Sequence, residues 1–394
     1  MTDLGYVPFD ADNHYYEALD AFTRYLDPAL GPRCVEWAEV NGRQYHVVGG
    51  QLSRAVTNPT FDPIAPPGAM HDYFRGNPEG KNPLEFLKAR ESIRPAYRNR
   101  DARVAALEEF GLSSVWLFPT LGMLYEELLK HDPYAVCATF EAFNRWVDDD
   151  WGFDRGDGRI FTAPYLALAD VDWACKELEW AIERGAHMIV MRAAAPTTTT
   201  GTHSPFDEQF DPFWARLNEA GIPLAIHAGD TGWSSNGYAA DGFGATFSGG
   251  WKPSVKSFAI ERSAGDFVIS SVFEKMFDRF PNIRMASIEN GSTFLADVVK
   301  KLKSTDAKMP GYFTTDPVLT LQRHWWINPF WEDDVNETVA LMGADRVIFG
   351  SDWPHIEGMP APLDYVPELA KLTDAERKMV LLDNAVTLNT PQPI

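Results

Sequence analysis

Cysteine is scarce: Cys34, Cys137 and Cys175 are the only three in 394 residues. An odd, scattered count without a CxxC pair argues against a disulfide framework and a thiolate metal site, and fits a reducing compartment. Each reads as a small core residue rather than a nucleophile. Long apolar runs are also missing. No stretch approaches the roughly 20 residues that a spanning helix needs. Met1–Asp12 has neither the basic nor the apolar segment of a signal peptide, so a cytoplasmic chain is expected. Positive charge is in deficit, with 35 Lys and Arg against 56 Asp and Glu and a net charge of −21. A surface of that sign repels polyanions, which argues against nucleic acid or an anionic membrane as partner and leaves a small molecule. No GxGxxG follows the first apolar strand, which weakens a dinucleotide-binding reading.

What is present is an alternation of short apolar strands, polar loops and amphipathic helices. The expected strands are Tyr6–Asp12, Ser114–Pro119, Phe161–Leu168, His187–Arg192, Pro223–Gly229, Arg284–Asn290, His324–Pro329 and Arg346–Asp352. The expected helices are Ser92–Phe110, Asp172–Arg184, Asp211–Ala220, Ser270–Phe280, Ser292–Lys303, Asp334–Met342 and Asp374–Asn389. Asp172 is the expected N-cap of its helix, and Gly185 and Gly221 stand where C-caps belong. Such alternation implies a parallel sheet covered by helices, and eight units favour a closed (β/α)8 TIM barrel over an open sheet. The chain reads as one domain, 1–394, with an insertion at about 15–90 after the first strand.

That insertion includes Arg43–Gly49, which alternates like a hairpin strand, and a Pro/Gly/Asn-rich run from Asn58 to Pro83. It serves as an active-site wall or as a subunit contact. Further long stretches follow the second strand, Pro119–Gly158, and the fifth, Asp230–Pro253. The latter carries Trp233, Tyr238, Phe243, Phe247 and Trp251, and reads as an ordered aromatic lid. All three follow strand ends, the face where barrels build their sites.

Strand ends also carry the chemistry. Asp12 and His14 close the first strand two residues apart, and alternate residues of a strand face the same side. His227 closes the apolar run Pro223–Ile226, and Asp352 closes Val347–Ser351 ahead of Trp353, Pro354 and His355. Each alone has a bland reading: a surface pair, a core histidine, a helix cap. Together they place two carboxylates and two imidazoles at one face, a set that suits one divalent ion, Zn or Mn, with Fe less favoured. Arg192, ending the fourth strand, either binds a substrate carboxylate or makes an ion pair at the barrel rim. His355 either donates to substrate or supports the ligands. Asn328 and Trp326 are candidates for the floor of the site. Asp10 reads as a supporting or rim residue. His203 reads as surface, and His46, His71, His131 and His324 as structural. Asp148–Asp150 lacks the alternating ligands of a calcium loop and reads as a solvated face.

These residues resemble a family. The Asp-x-Asp-x-His start, the histidine ending strand five and Gly-Ser-Asp-Trp-Pro-His at 350–355 are similar to the amidohydrolase-related branch of the amidohydrolase superfamily. That branch contains aminocarboxymuconate semialdehyde, resorcylate and carboxyvanillate decarboxylases. Phe118-Pro119-Thr120 and Phe206–Phe213 share the likeness, which spans Phe9 to about Asn389. The resemblance implies that Asp12 and His14 take the places of a His-x-His pair, that His227 is the third ligand, and that Asp352 is both ligand and proton carrier. It also implies a homodimer. Two departures stand out: Asp12 replaces a histidine, and Glu289 stands where the sixth strand usually offers one. Glu289 is therefore a candidate catalytic residue, and holding a proton there would require a raised pKa. The implied activity is non-oxidative decarboxylation of a small aromatic or unsaturated acid. The alternatives are hydrolysis of an ester, lactone or amide, and a degenerate barrel used only for binding.

Overall fold

The computed structural model describes residues 4–233, 255 and 259–394. Parallel strands form at β1 (Phe9–Tyr15), β2 (Ser114–Pro119), β3 (Ile160–Thr162), β4 (Ile189–Arg192), β5 (Leu224–His227), β6 (Met285–Ile288) and β7 (Trp325–Ile327). All seven are buried along their whole length, so most read as continuous apolar runs. The exception is β1, Phe-Asp-Ala-Asp-Asn-His-Tyr, whose buried polar residues need partners inside the protein.

Ladders join β1 to β2 to β3, and β4 to β5 to β6 to β7. Single bridges connect the two sheets. Tyr165, just past β3, pairs with Val190 of β4, and Val347 pairs with Ile327 of β7. The 347–353 segment then meets β1, where Ala11 N–H donates to Phe349 O (2.8 Å) and Asp352 N–H to Asp12 O (2.9 Å). Pairing thus runs from β1 round to the eighth segment and back to β1.

The eighth segment pairs through isolated bridges and single backbone bonds and is not a regular strand. Asp10 adds side-chain bonds there: its carboxylate accepts from Ser351 N (2.9 Å), Ser351 Oγ (2.6 Å), Asn13 Nδ2 (2.9 Å) and Asp12 N (3.2 Å).

Helices pack outside the strands: α1 (Arg100–Phe110), α2 (Gly122–Leu129), α3 (Pro133–Asp150), α4 (Val171–Glu183), α5 (Asp211–Ala220), α6 (Ala259–Phe273), α7 (Phe294–Lys308), α8 (Pro317–His324) and α9 (Val335–Met342). Several boundaries differ from expectation for local reasons. α1 starts at Arg100, because Pro95 opens a separate 3-10 turn and Asn99 caps Ala102 N at 2.9 Å. Asp170, not Asp172, caps α4 by accepting from Trp173 N at 2.9 Å. The expected Ser270–Phe280 helix is instead the end of α6 and a short helix, Met276–Arg279, broken where Lys275 adopts φ 54°. Residues 374–389 contain a π-helical turn, Met379–Asp383, and Val380 O accepts from Phe349 N (3.0 Å) of the eighth segment.

The insertion after β1 forms a hairpin, Val35–Val40 against Arg43–Val48. Its later part lies along the eighth loop, with Gly68 N donating to His355 O (3.0 Å) and Met70 N to Ile356 O (2.8 Å). His71 stacks on Trp331 at 4.3 Å. Of the expected aromatic lid, Tyr238, Phe243, Phe247 and Trp251 lie outside the described residues. Among the described residues no helix is long and apolar enough to cross a membrane.

Candidate metal centre

β1 carries one extra residue against β2 between Asp10 and Asn13. Despite this bulge, Asp12 and His14 converge on one point. His14 Nε2 lies 3.3 Å from Asp12 Oδ1, 3.2 Å from His227 Nε2, 3.3 Å from Glu289 Oε2 and 3.4 Å from Asp352 Oδ1. His227 Nε2 is 3.5 Å from Asp12 Oδ1 and 3.3 Å from Glu289 Oε2. Donors about 2.1 Å from a small divalent ion stand about 3.0–3.4 Å from one another, so this cluster has the dimensions of a coordination shell.

The imidazoles are turned for that purpose. His14 Nδ1 faces Pro119 O at 3.2 Å, and His227 Nδ1 faces Ala228 O at 2.9 Å. A carbonyl only accepts, so each Nδ1 carries the hydrogen and each Nε2 presents its lone pair to the cluster. Asp12 Oδ1 and Asp352 Oδ1 are fully buried without a hydrogen-bond partner among the described residues. Orphaned carboxylate oxygens facing imidazole lone pairs fit a divalent cation.

Backbone geometry aims the two later carboxylates. Glu289 and Asp352 both adopt left-handed conformations, φ 53° and 55°, which a non-glycine residue holds only at a cost of about 1 kcal/mol or more. Asn328 supports the first bend, its Oδ1 accepting from Glu289 N at 3.0 Å. Gly350 permits the approach of the eighth segment: a Cβ there would lie 2.3 Å from Asp12 Cβ and 2.7 Å from Asn328 Nδ2.

The electrostatics follow from burial and crowding. Burial, then the charges of Glu289, Glu357 and Asp12, hold the Asp352 carboxyl well above the ordinary range. Burial opposes a charge on His14, but Asp12 and Glu289 outweigh it and raise the imidazole to about 10. Burial would also raise Asp12, yet His14 and His227 keep it below its ordinary value. A point that attracts a proton this strongly attracts a metal ion for the same reason, and the two compete for Nε2.

Among the residues singled out from sequence, Asp12, His14, His227 and Asp352 come together. Glu289 joins them as a fifth donor rather than standing apart as a base. His355 stacks on the His14 ring at 3.9 Å, and its Nδ1 lies 2.6 Å from Asp352 Oδ1. Arg192 does not present a free fork. Its Nη1 is 2.6 Å from Glu127 Oε2 and 2.9 Å from Asp230 O, and its Nε is 3.2 Å from Glu126 Oε1. This is the ion-pair alternative, and it corrects the expectation of a substrate clamp. Asp149 and Asp150 are paired with Arg24 and Asp148 with Arg184, which accounts for the acidic run.

Sequence reasoning gave no role to Thr120 or Glu17. Thr120 Oγ1 lies 2.9 Å from His355 Nε2. Glu17 is 1% exposed, and its Oε1 accepts from the backbone N–H groups of Thr120, Leu121 and Gly122 (3.0, 2.7 and 3.0 Å). Thr120 stood within the Phe118-Pro119-Thr120 likeness without a role of its own, and Glu17 had only its position three residues past His14.

A sequence profile described as Amidohydrolase matches residues 121–388. An amidohydrolase of Mycobacterium avium subsp. paratuberculosis is 38% identical and superposes with a TM-score of 0.91 over 98% of this chain and 99% of that one. More distant is a dihydroxybenzoic acid decarboxylase of Polaromonas with bound manganese and 2-nitroresorcinol, at 16% identity, TM-score 0.62, 82% of this chain and 93% of that one. A 5-carboxyvanillate decarboxylase of Novosphingobium aromaticivorans, complexed with manganese and a nitrobenzoic acid, has 14% identity and TM-score 0.57 over 99% and 97%. No curated protein matches the sequence. With the profile covering most of the chain, and a 38% identical relative matched along nearly its whole length, the protein belongs to the amidohydrolase superfamily and is an enzyme of that superfamily.

Proposed function

We propose that the protein is a (β/α)8-barrel decarboxylase, with insertions after strands 1, 2 and 5, acting on a small aromatic or unsaturated carboxylic acid with one divalent ion, Zn or Mn. The observation that carries this reading is the cluster of Asp12, His14, His227 and Glu289, which shares His14 and Glu289 with Asp352 and His355, and in which two buried carboxylate oxygens lack a hydrogen-bond partner among the described residues. The manganese bound in the two decarboxylases of similar fold supports the choice of cofactor. When bound, such an ion would act as a Lewis acid toward substrate oxygens.

The chain's own residues then have distinct tasks. His14 and His227, fixed by their Nδ1–H bonds to Pro119 O and Ala228 O, hold their donor atoms in place. Asp352, buried beside the donors, delivers a proton to the carbon that loses CO2. The carbon–carboxylate bond breaks, its electron pair stays on that carbon, and the proton takes the vacated position. His355 stacks on His14 and stands beside Asp352, its Nδ1 2.6 Å from Asp352 Oδ1.

The test joins metal analysis to turnover. Purified protein should carry about one Zn or Mn per chain, and His227→Ala should lose it. Metal-loaded protein should release CO2 from a member of a hydroxybenzoate panel, and Asp352→Asn should abolish that release. Hydrolysis of esters or lactones without CO2 release would favour the hydrolase reading. A wild type that binds no metal after reconstitution would refute the centre.

A further inference from the structure

The geometry points to Thr120 as a positioning residue that fixes the tautomer of His355 and so sets how Asp352 is held. This deepens the decarboxylase reading and, for its catalytic consequence, rests on it. Thr120 Oγ1 lies 2.8 Å from Tyr15 O and 2.9 Å from His355 Nε2. A hydroxyl has a single hydrogen, and a carbonyl oxygen only accepts, so the Thr120 hydrogen goes to Tyr15 O. Toward His355 the hydroxyl is then an acceptor, and Nε2 carries the ring hydrogen. In the neutral ring, Nδ1 is then left without a hydrogen, 2.6 Å from Asp352 Oδ1.

Thr120 is itself held on both sides. Its backbone N–H, with those of Leu121 and Gly122, is bound by Glu17 Oε1 at the start of α2. The His355 ring has little freedom to escape. It stacks on His14 at 3.9 Å, and its carbonyl is bound by Gly68 N at 3.0 Å. A chain of contacts therefore runs from Glu17 through the Thr120 turn and hydroxyl to His355 and Asp352. Its far end is an imidazole nitrogen without a hydrogen, held 2.6 Å from Asp352 Oδ1. Removing the hydroxyl frees the ring to exchange its hydrogen between the two nitrogens.

The experiment compares zinc-loaded wild type, Thr120→Val and Thr120→Ser. The 15N chemical shifts of the His355 ring, assigned by their loss in His355→Gln, read the tautomer without reference to turnover. Metal content and steady-state kinetics on the substrate from the CO2-release panel complete the set. The wild type should carry hydrogen on Nε2. Thr120→Val should lose that preference and drop kcat about 10- to 100-fold with KM and metal content unchanged, and Thr120→Ser should restore both. A wild-type hydrogen on Nδ1, or an unchanged tautomer in Thr120→Val, overturns the assignment. A loss of metal in Thr120→Val would also overturn it, by making the role merely structural. If the tautomer behaves as expected but no acid is decarboxylated, the positioning role stands and the decarboxylase reading fails.

Discussion

At the scale of single residues, the site depends as much on one missing side chain as on those present. Gly350 lets the eighth segment approach β1 so closely that a Cβ would sit 2.3 Å from Asp12 Cβ and 2.7 Å from Asn328 Nδ2. Neither neighbour can yield cheaply, since Asp12 is a candidate ligand on a buried strand and Asn328 holds the strained Glu289 backbone. Gly350→Ala should cost about 1–3 kcal/mol of stability by overpacking and sharply weaken metal binding, read by thermal melting and metal content. A variant that melts and binds as wild type would show that the segment shifts freely. Asp12, His14, His227 and Asp352 stood out in the sequence because each follows or closes an apolar run, near the face where side chains converge. Glu289 was visible only as a substitute for an expected histidine. Its place among the donors depends on a left-handed turn that no local pattern announces. Thr120 was hidden for a different reason: its partner His355 is 235 positions away, and only ring closure brings them together.

At the scale of elements, the strands and most helices follow from apolar runs and caps, while the boundaries do not. The eighth segment reads as a strand, yet its amides are divided among Ile327 O, Val380 O, Asp12 O and the Asp10 carboxylate instead of one ladder. The insertion hairpin was expected from alternation, and what anchors it is His46. This residue is 2% exposed, with Nδ1 2.6 Å from the Tyr125 hydroxyl of α2 and its ring 3.9 Å from Trp37. Burial pushes its pKa down to about 3 from an unfolded value near 6.5. Below the unfolded value the unfolded chain binds the extra proton and the folded chain does not. Stability from this group is therefore full above about pH 6.5 and is lost as pH falls toward 3. Between pH 7 and 5 the loss should be about 2 kcal/mol. His46→Gln, which retains a hydrogen-bonding group toward Tyr125, should flatten that part of the stability–pH curve in denaturant titrations. An unchanged slope would assign the acid sensitivity to other groups.

At the scale of the molecule, the centre ties together segments that the chain leaves far apart. Its donors come from β1, β5, the end of β6 and the eighth segment, so an ion there would link both sheets and the seam that closes the ring. The same arrangement gathers three carboxylates, Asp12, Glu289 and Asp352, around His14 Nε2, where their mutual repulsion opposes closure and a divalent charge relieves it. Binding to the folded chain alone stabilises it by mass action, about 4 kcal/mol when the free ion is a thousandfold above its dissociation constant. For a chain of this length that corresponds to a shift of about 5 °C in Tm. Chelation should therefore lower Tm by that order, and readdition of Zn or Mn should restore it. His227→Ala should melt at one temperature whether or not metal is supplied. If chelation leaves the wild-type Tm unchanged while removing the metal, the ion does not brace the fold, and the strand ends are held by Asp10, Asn328 and the backbone alone.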